Sequence, residues 1–201
     1  LAARRLDRSL TLRLTCLLAV GALQGVVGWF MVKSGLVDRP SVSQYRLAMH
    51  LAIAFLIYGA LVWNILGLRN RPDYGPAESG IEHKRRCSGW LLGLISLTVV
   101  SGAFVAGLDA GRYYNTFPLM DGSLIPADYQ SSYFWWQNPF ENIAAVQFHH
   151  RVLAVLTVLA VLAFWLANRG SQLTQHTRHV TRALVVMVLV QAGLGIVTLL
   201  N

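Results

Sequence analysis

Charge is scarce in this sequence. Asp, Glu, Lys and Arg together make up 13% of the 201 residues, while 55% are hydrophobic and the mean hydropathy is +0.48. A soluble domain rarely has such a balance, so the chain reads as a membrane protein. Only two cysteines occur, Cys16 and Cys87, both in or beside apolar runs and without CxxC spacing. A disulfide framework and a zinc site are therefore not expected. A cleavable signal peptide is also missing, because the first apolar run is full length and no small-residue cleavage site follows it. There is no phosphate-binding glycine loop, no Ser-His-Asp set and no paired carboxylate, which argues against a soluble catalytic domain. The formal net charge of +8 does not point to nucleic acid, since the basic residues lie in short segments between apolar runs. The chain starts at Leu1 and stops at Asn201 within an apolar run, and is expected to be a fragment cut at both ends.

Five apolar runs remain, at about 14–32, 45–66, 89–108, 142–167 and 183–200. Each approaches the ~20 residues that cross a bilayer as a helix. The expected fold is an all-α integral membrane protein, a polytopic bundle with five transmembrane helices here. The longest connection, 109–141, is rich in aromatics and is expected to lie on the bilayer surface and cap the bundle. Alternating the five spans places twelve Lys and Arg residues on one side and five on the other. The positive-inside rule then puts the N-terminus in the cytoplasm or its equivalent, the 73–86 loop inside and the 112–138 loop outside.

The chemistry concentrates in the fourth run, at Phe148-His149-His150-Arg151. Polar groups inside a span cost roughly 3 kcal/mol each and are usually retained for a proton path, an ion pair, a metal or a haem. Adjacent helix residues point about 100° apart, so His149 and His150 do not share one partner. One is expected to face the bundle interior and the other a hydrogen-bond partner or the loop. His50, in the second run, shares a helix face with Arg46. For both His50 and His150 the ordinary reading is a structural hydrogen bond, and the functional one is an axial haem ligand through a neutral imidazole nitrogen. Two such histidines toward the same leaflet favour metal or haem. Arg46 reads as a snorkelling arginine or a carboxylate partner, and Arg151 as a partner for a haem propionate. Gln24 and Gln191 read as interhelical hydrogen-bonders whose small neighbours admit close approach by a helix or a flat macrocycle. His83, His176 and His179 lie among basic residues and read as solvated.

Gln24-Gly25-Val26-Val27-Gly28-Trp29 also has a weak echo in Gln191-Ala192-Gly193-Leu194-Gly195, which suggests two repeated halves. Residues 1–87 would belong to the first half and 88–201 to the second. His50 follows Gln24 by 26 residues. A matching histidine is then expected about 26 residues after Gln191, beyond the present chain.

Four stretches together resemble haem A synthase of the proteobacterial and mitochondrial type. They are the Gln24–Leu36 segment, Val42 to His50, Ser101 to Pro118, and Val146-Gln147-Phe148-His149-His150-Arg151. The resemblance runs over nearly the whole chain from about Leu14. It implies eight transmembrane helices in two four-helix halves, of which the five spans here are helices three to seven. It implies oxidation of a methyl group of haem O to the formyl group of haem A, for cytochrome c oxidase assembly. By the resemblance His50 is an iron ligand of the substrate-side half and His150 an iron ligand of the haem b half, with Arg46 and Arg151 at the haem. The catalytic carboxylate falls outside this fragment. Haem b is the implied cofactor, and haem O the substrate, supplied by a haem O synthase. An electron acceptor is required but unidentified, and a homo-oligomer is left open. The implied location is the bacterial inner membrane, multi-pass, or the mitochondrial inner membrane in a eukaryote. Two other functions compete. A di-haem membrane cytochrome b would bind no haem O, and a non-catalytic assembly factor or transporter would use its histidines structurally.

Overall fold

The computed structural model describes residues 7–38, 42–68, 81–130, 134–170 and 173–201. Six helices are described: α1 (Arg8–Asp38), α2 (Gln44–Leu68), α3 (Ile81–Gly107), the short α4 (Asn138–Glu141), α5 (Ile143–Asn168) and α6 (Gln175–Leu200). All but α4 are long and apolar enough to cross a membrane, so the five expected spans are present. Their large apolar side chains point outward, for example Leu18 and Trp63 at 75% exposure and Trp90 at 82%. In water such surfaces would be untenable, and in lipid they are the contact face. The chain is a multi-pass membrane protein.

The helices outrun the apolar windows. Lys84, Arg85 and Arg86 belong to the first turns of α3, and His176, Arg178, His179 and Arg182 to α6, where loops were expected. Gly35 lies within α1. A hydropathy window stops where charge begins, but the backbone need not, since Lys and Arg are good helix formers. The first turns of α3 add an exposed Glu82–Arg86 pair at 3.0 Å, which stabilises little. The 69–80 stretch lies outside the described residues, as do Arg39, Pro40 and Ser131.

The chain forms two compact units, Leu1–Ala77 and Glu78–Asn201. In the first, α1 packs on α2. In the second, α5 is central, packing on α3, on α6 and on the connection between α3 and α4. That connection is folded rather than merely draped. After α3, Asp109 takes a left-handed conformation (φ 50°) and starts a single 3-10 turn over Ala110–Arg112, with Ala110 fully buried. Asp121 and Gly122 follow at φ 50° and 83°, and Met120 and Ser123 exchange both backbone hydrogen bonds across them. Positive φ at both central positions of a two-residue turn is the reason for an Asp-Gly pair. Thr116 closes the turn from behind, donating to the Leu119 carbonyl and accepting from the Asp121 N–H. Met120 is thereby buried with Tyr114 and Ala144, against Phe148 of α5.

Candidate functional site

Two helix pairs each present one imidazole against a bare stretch of backbone. In the first unit, His50 of α2 lies over Gly28 of α1. A Cβ at position 28 would stand 3.0 Å from the His50 Cε1. In the second unit, His150 of α5 lies over Gly102 of α3, where a Cβ would stand 3.2 Å from Cε1. Both distances are tighter than ordinary van der Waals contact, so each glycine gives its ring room that a Cβ would narrow by a few tenths of an ångström.

The surroundings of the two rings differ. Gln24 of α1 donates its side-chain N–H to the His50 backbone carbonyl at 2.8 Å, the interhelical role expected of it. The His50 ring itself is unspent: its buried Nδ1 has no partner among the described residues. Gln191, by contrast, lies exposed on α6. Arg46, one turn before His50, places its guanidinium 5.0 Å over the Phe30 ring. In the second unit Ser101 Oγ meets His150 Nδ1 at 2.8 Å and also donates to the Thr98 carbonyl at 2.8 Å. One turn further in, Thr98 and Thr157 share a 2.8 Å hydroxyl contact across the same helix pair. These polar contacts fix the register of α5 on α3, each contributing about 1 kcal/mol in lipid. His150 Nε2 has no protein partner among the described residues.

His149 turns elsewhere, as the helical rotation requires. Its Nε2 lies 2.9 Å from the Tyr129 hydroxyl, and the Tyr129 ring meets Phe148 edge-on at 5.4 Å. The start of α5 then binds the rest of the outer connection. Asn142 caps the helix by accepting from the Ala144 N–H and donates to the carbonyls of Asp128 and Tyr129. Gln147 donates to the Tyr114 carbonyl at 2.8 Å. Arg151 donates from Nη2 to the Tyr114 carbonyl at 2.6 Å and from Nη1 to the Thr116 carbonyl at 2.7 Å. Its Nε is buried without a partner among the described residues. Both terminal nitrogens of Arg151 thus hold the loop. Tyr114 donates to Asp128 at 3.0 Å; burial first, and then this carboxylate, hold its phenol above the ordinary value.

Sequence reasoning placed His50, His150, Arg46 and Arg151 on helices, and the structure brings Arg151 and His150 to one loop-covered helix end. It did not single out Ser101, Gly102, Gly28 or Tyr129 as partners of the histidines. The signal available was a small residue at the outer part of each neighbouring span, read only as a close-contact motif.

A polytopic helical bundle, with one histidine seated against a glycine of the neighbouring helix in each unit, defines an integral membrane protein. The comparisons with known proteins are more specific. A family model described as cytochrome oxidase assembly protein matches residues 1–201, and the chain belongs to that family. It is 46% identical over 198 residues to heme A synthase of Nitrosomonas eutropha, covering 98% of this chain and 56% of that protein. Heme A synthase of Nitrosospira multiformis is 46% identical over 197 residues, covering 98% and 55%. Heme A synthase of Agrobacterium fabrum is 47% identical over 199 residues, covering 98% and 53%. The chain therefore spans about half the length of the curated relatives it matches. No solved structure matches it.

Proposed function

We propose that the whole protein is a haem A synthase, an oxidoreductase that converts the methyl group of haem O to the formyl group of haem A for cytochrome c oxidase assembly. The observation that supports this most directly is the pair of imidazoles, one per unit, each seated on glycine with its Nε2 unclaimed among the described residues. The donor set fits haem. A neutral imidazole nitrogen is an axial ligand, and one histidine per helix pair is what axial ligation asks of a helix. The orphaned Nδ1 of His50 and the glycine cradles suit a ring held for a flat partner, whereas a structural histidine would spend its nitrogens on protein.

In this reading His150 holds haem b and His50 holds haem O, with residues 1–87 and 88–201 belonging to two repeated four-helix halves. A bound haem supplies the redox chemistry at its iron. The chain's own residues orient and enclose. Gly28 and Gly102 admit the rings, Gln24 pins the α2 backbone at His50, and Arg46 is placed for a propionate. Arg151 holds the loop, and its buried Nε–H is left for a carboxylate. The charge asymmetry supports an orientation with the 110–130 connection on the outer face of the bacterial inner membrane. Haem O would come from a haem O synthase, and the electron acceptor is a separate redox partner.

The test is extraction and identification of haems from the whole protein and two variants. His150→Ala is expected to lose haem b, His50→Ala to lose bound haem O, and both to lose haem A formation. Haem b alone in the unmodified protein, with no haem O or haem A, would instead establish an electron-transfer cytochrome.

A further inference from the structure

The polar contacts of Ser101 decide which nitrogen of His150 carries the proton. A serine hydroxyl has one hydrogen to give. The Thr98 carbonyl, 2.8 Å away, can only accept, and Ser101 donates that hydrogen to it. The Ser101 oxygen is then left as an acceptor, 2.8 Å from His150 Nδ1. With Ser101 donating to Thr98, Nδ1 supplies the proton to the Ser101 oxygen and Nε2 keeps its lone pair. The opposite tautomer would turn the Ser101 hydrogen onto Nδ1 and forfeit the bond to the Thr98 carbonyl, leaving one hydrogen bond where the Nδ1–H form makes two.

We infer that Ser101 is a positioning residue, which fixes His150 as the Nδ1–H tautomer and makes its Nε2 the stronger donor to a haem iron. This rests on the ligand role proposed above for His150. An imidazole whose far N–H is hydrogen-bonded is more basic at the ligating nitrogen and is held in one ring orientation. A stronger donor favours the ferric state and lowers the midpoint potential of its haem. Among the described residues the His50 ring has no such partner: its Nδ1 is buried and unpaired. The two histidines therefore differ in donor strength and in rotational freedom, and only one of them is tuned from behind. Gly102 is the neighbour of Ser101 in sequence, so one turn of α3 supplies both the space for the ring and the acceptor that orients it.

The experiment uses the whole protein, purified with its haems, and compares Ser101→Ala, Ser101→Thr and Ser101→Cys by redox titration and by electron paramagnetic resonance of the ferric form. Ser101→Ala is expected to retain haem but to shift the midpoint potential of the haem b upward and to alter its ferric g-values. Ser101→Thr keeps the hydroxyl and is expected to restore both. Ser101→Cys, a weak acceptor, should fall between them and serves if the alanine variant does not assemble. Unchanged potential and g-values in a haem-loaded Ser101→Ala or Ser101→Cys variant would overturn the inference. Failure of the ligand reading shows separately, as His150→Ala retaining its haem b.

Discussion

The contact between Gly102 and His150 supports a graded prediction. A Cβ at position 102 would lie 3.2 Å from the His150 Cε1, 3.7 Å from Nδ1 and 3.8 Å from Nε2. Ordinary contact begins near 3.4 Å, so alanine asks the ring edge to yield by about 0.2 Å. Moving away from Gly102, the ring also moves away from Ser101. The 2.8 Å contact would open to about 3.0 Å, which is still a hydrogen bond. Weakening that bond costs well under its full worth of ~1 kcal/mol, while the helix gains about 1 kcal/mol from replacing glycine. Gly102→Ala should therefore be neutral to slightly stabilising and should keep its haem. Valine is different. Its γ carbons project ~1.5 Å beyond Cβ, a distance that sliding cannot absorb. The ring must leave its seat, although the helix itself tolerates valine at a cost of only about 0.6 kcal/mol relative to alanine. The expected outcome for Gly102→Val is a folded protein, with near-native thermal denaturation in detergent, that has lost the haem proposed for His150. Absorption spectra and extracted haem content measure this directly. A Gly102→Val protein with native haem content and spectrum would refute the seating argument.

Other predictions follow from the outer connection. Arg151→Ala removes the donors to the Tyr114 and Thr116 carbonyls, which should loosen the 114–129 stretch by ~2–4 kcal/mol and make it cleavable by protease added from outside; unchanged cleavage would exclude the clamp. Tyr114 is held above its ordinary value of 10, so the folded loop binds that proton more tightly than the open one. Its contribution is complete below pH ~10 and is lost as pH rises through the raised value. Alkaline opening of the loop should disappear in Tyr114→Phe, and persistence of the same transition would assign it to another group. Orientation is testable with Cys16 and Cys87 replaced by serine. Leu124→Cys should react with an impermeant maleimide from outside and Gly170→Cys should not; the reverse pattern would invert the topology.

Much of this architecture was legible because a bilayer imposes a length and a composition on anything that crosses it. The five runs stand out for that reason, and so do His50 and His150, which lie inside them against a large energetic cost. The ends of α3 and α6 were not legible, because hydropathy measures the solvent of a side chain and not the conformation of the backbone. Ser101 was out of reach for a different reason. It lies 49 residues from His150, and the pairing depends on the register of α5 on α3, which no periodicity encodes. The Asp121-Gly122 turn did carry a readable signal, two residues that tolerate positive φ in the middle of an aromatic segment.

The adjacency of His149 and His150 has a mechanical consequence. One ring is anchored to Tyr129 and the next to Ser101, on bearings roughly 100° apart around the same helix. A rod keyed at two angles can neither roll nor slide without breaking a key. The azimuth of α5 is thus set jointly by a membrane-embedded helix and by a segment outside the span, and the direction in which His150 Nε2 points is shared between them. Deleting a single residue from α5 between Asn142 and Phe148 would turn everything after it by one such step relative to the cap. Only one of the two keys could then engage, and the seat on Gly102 would pass to another side chain.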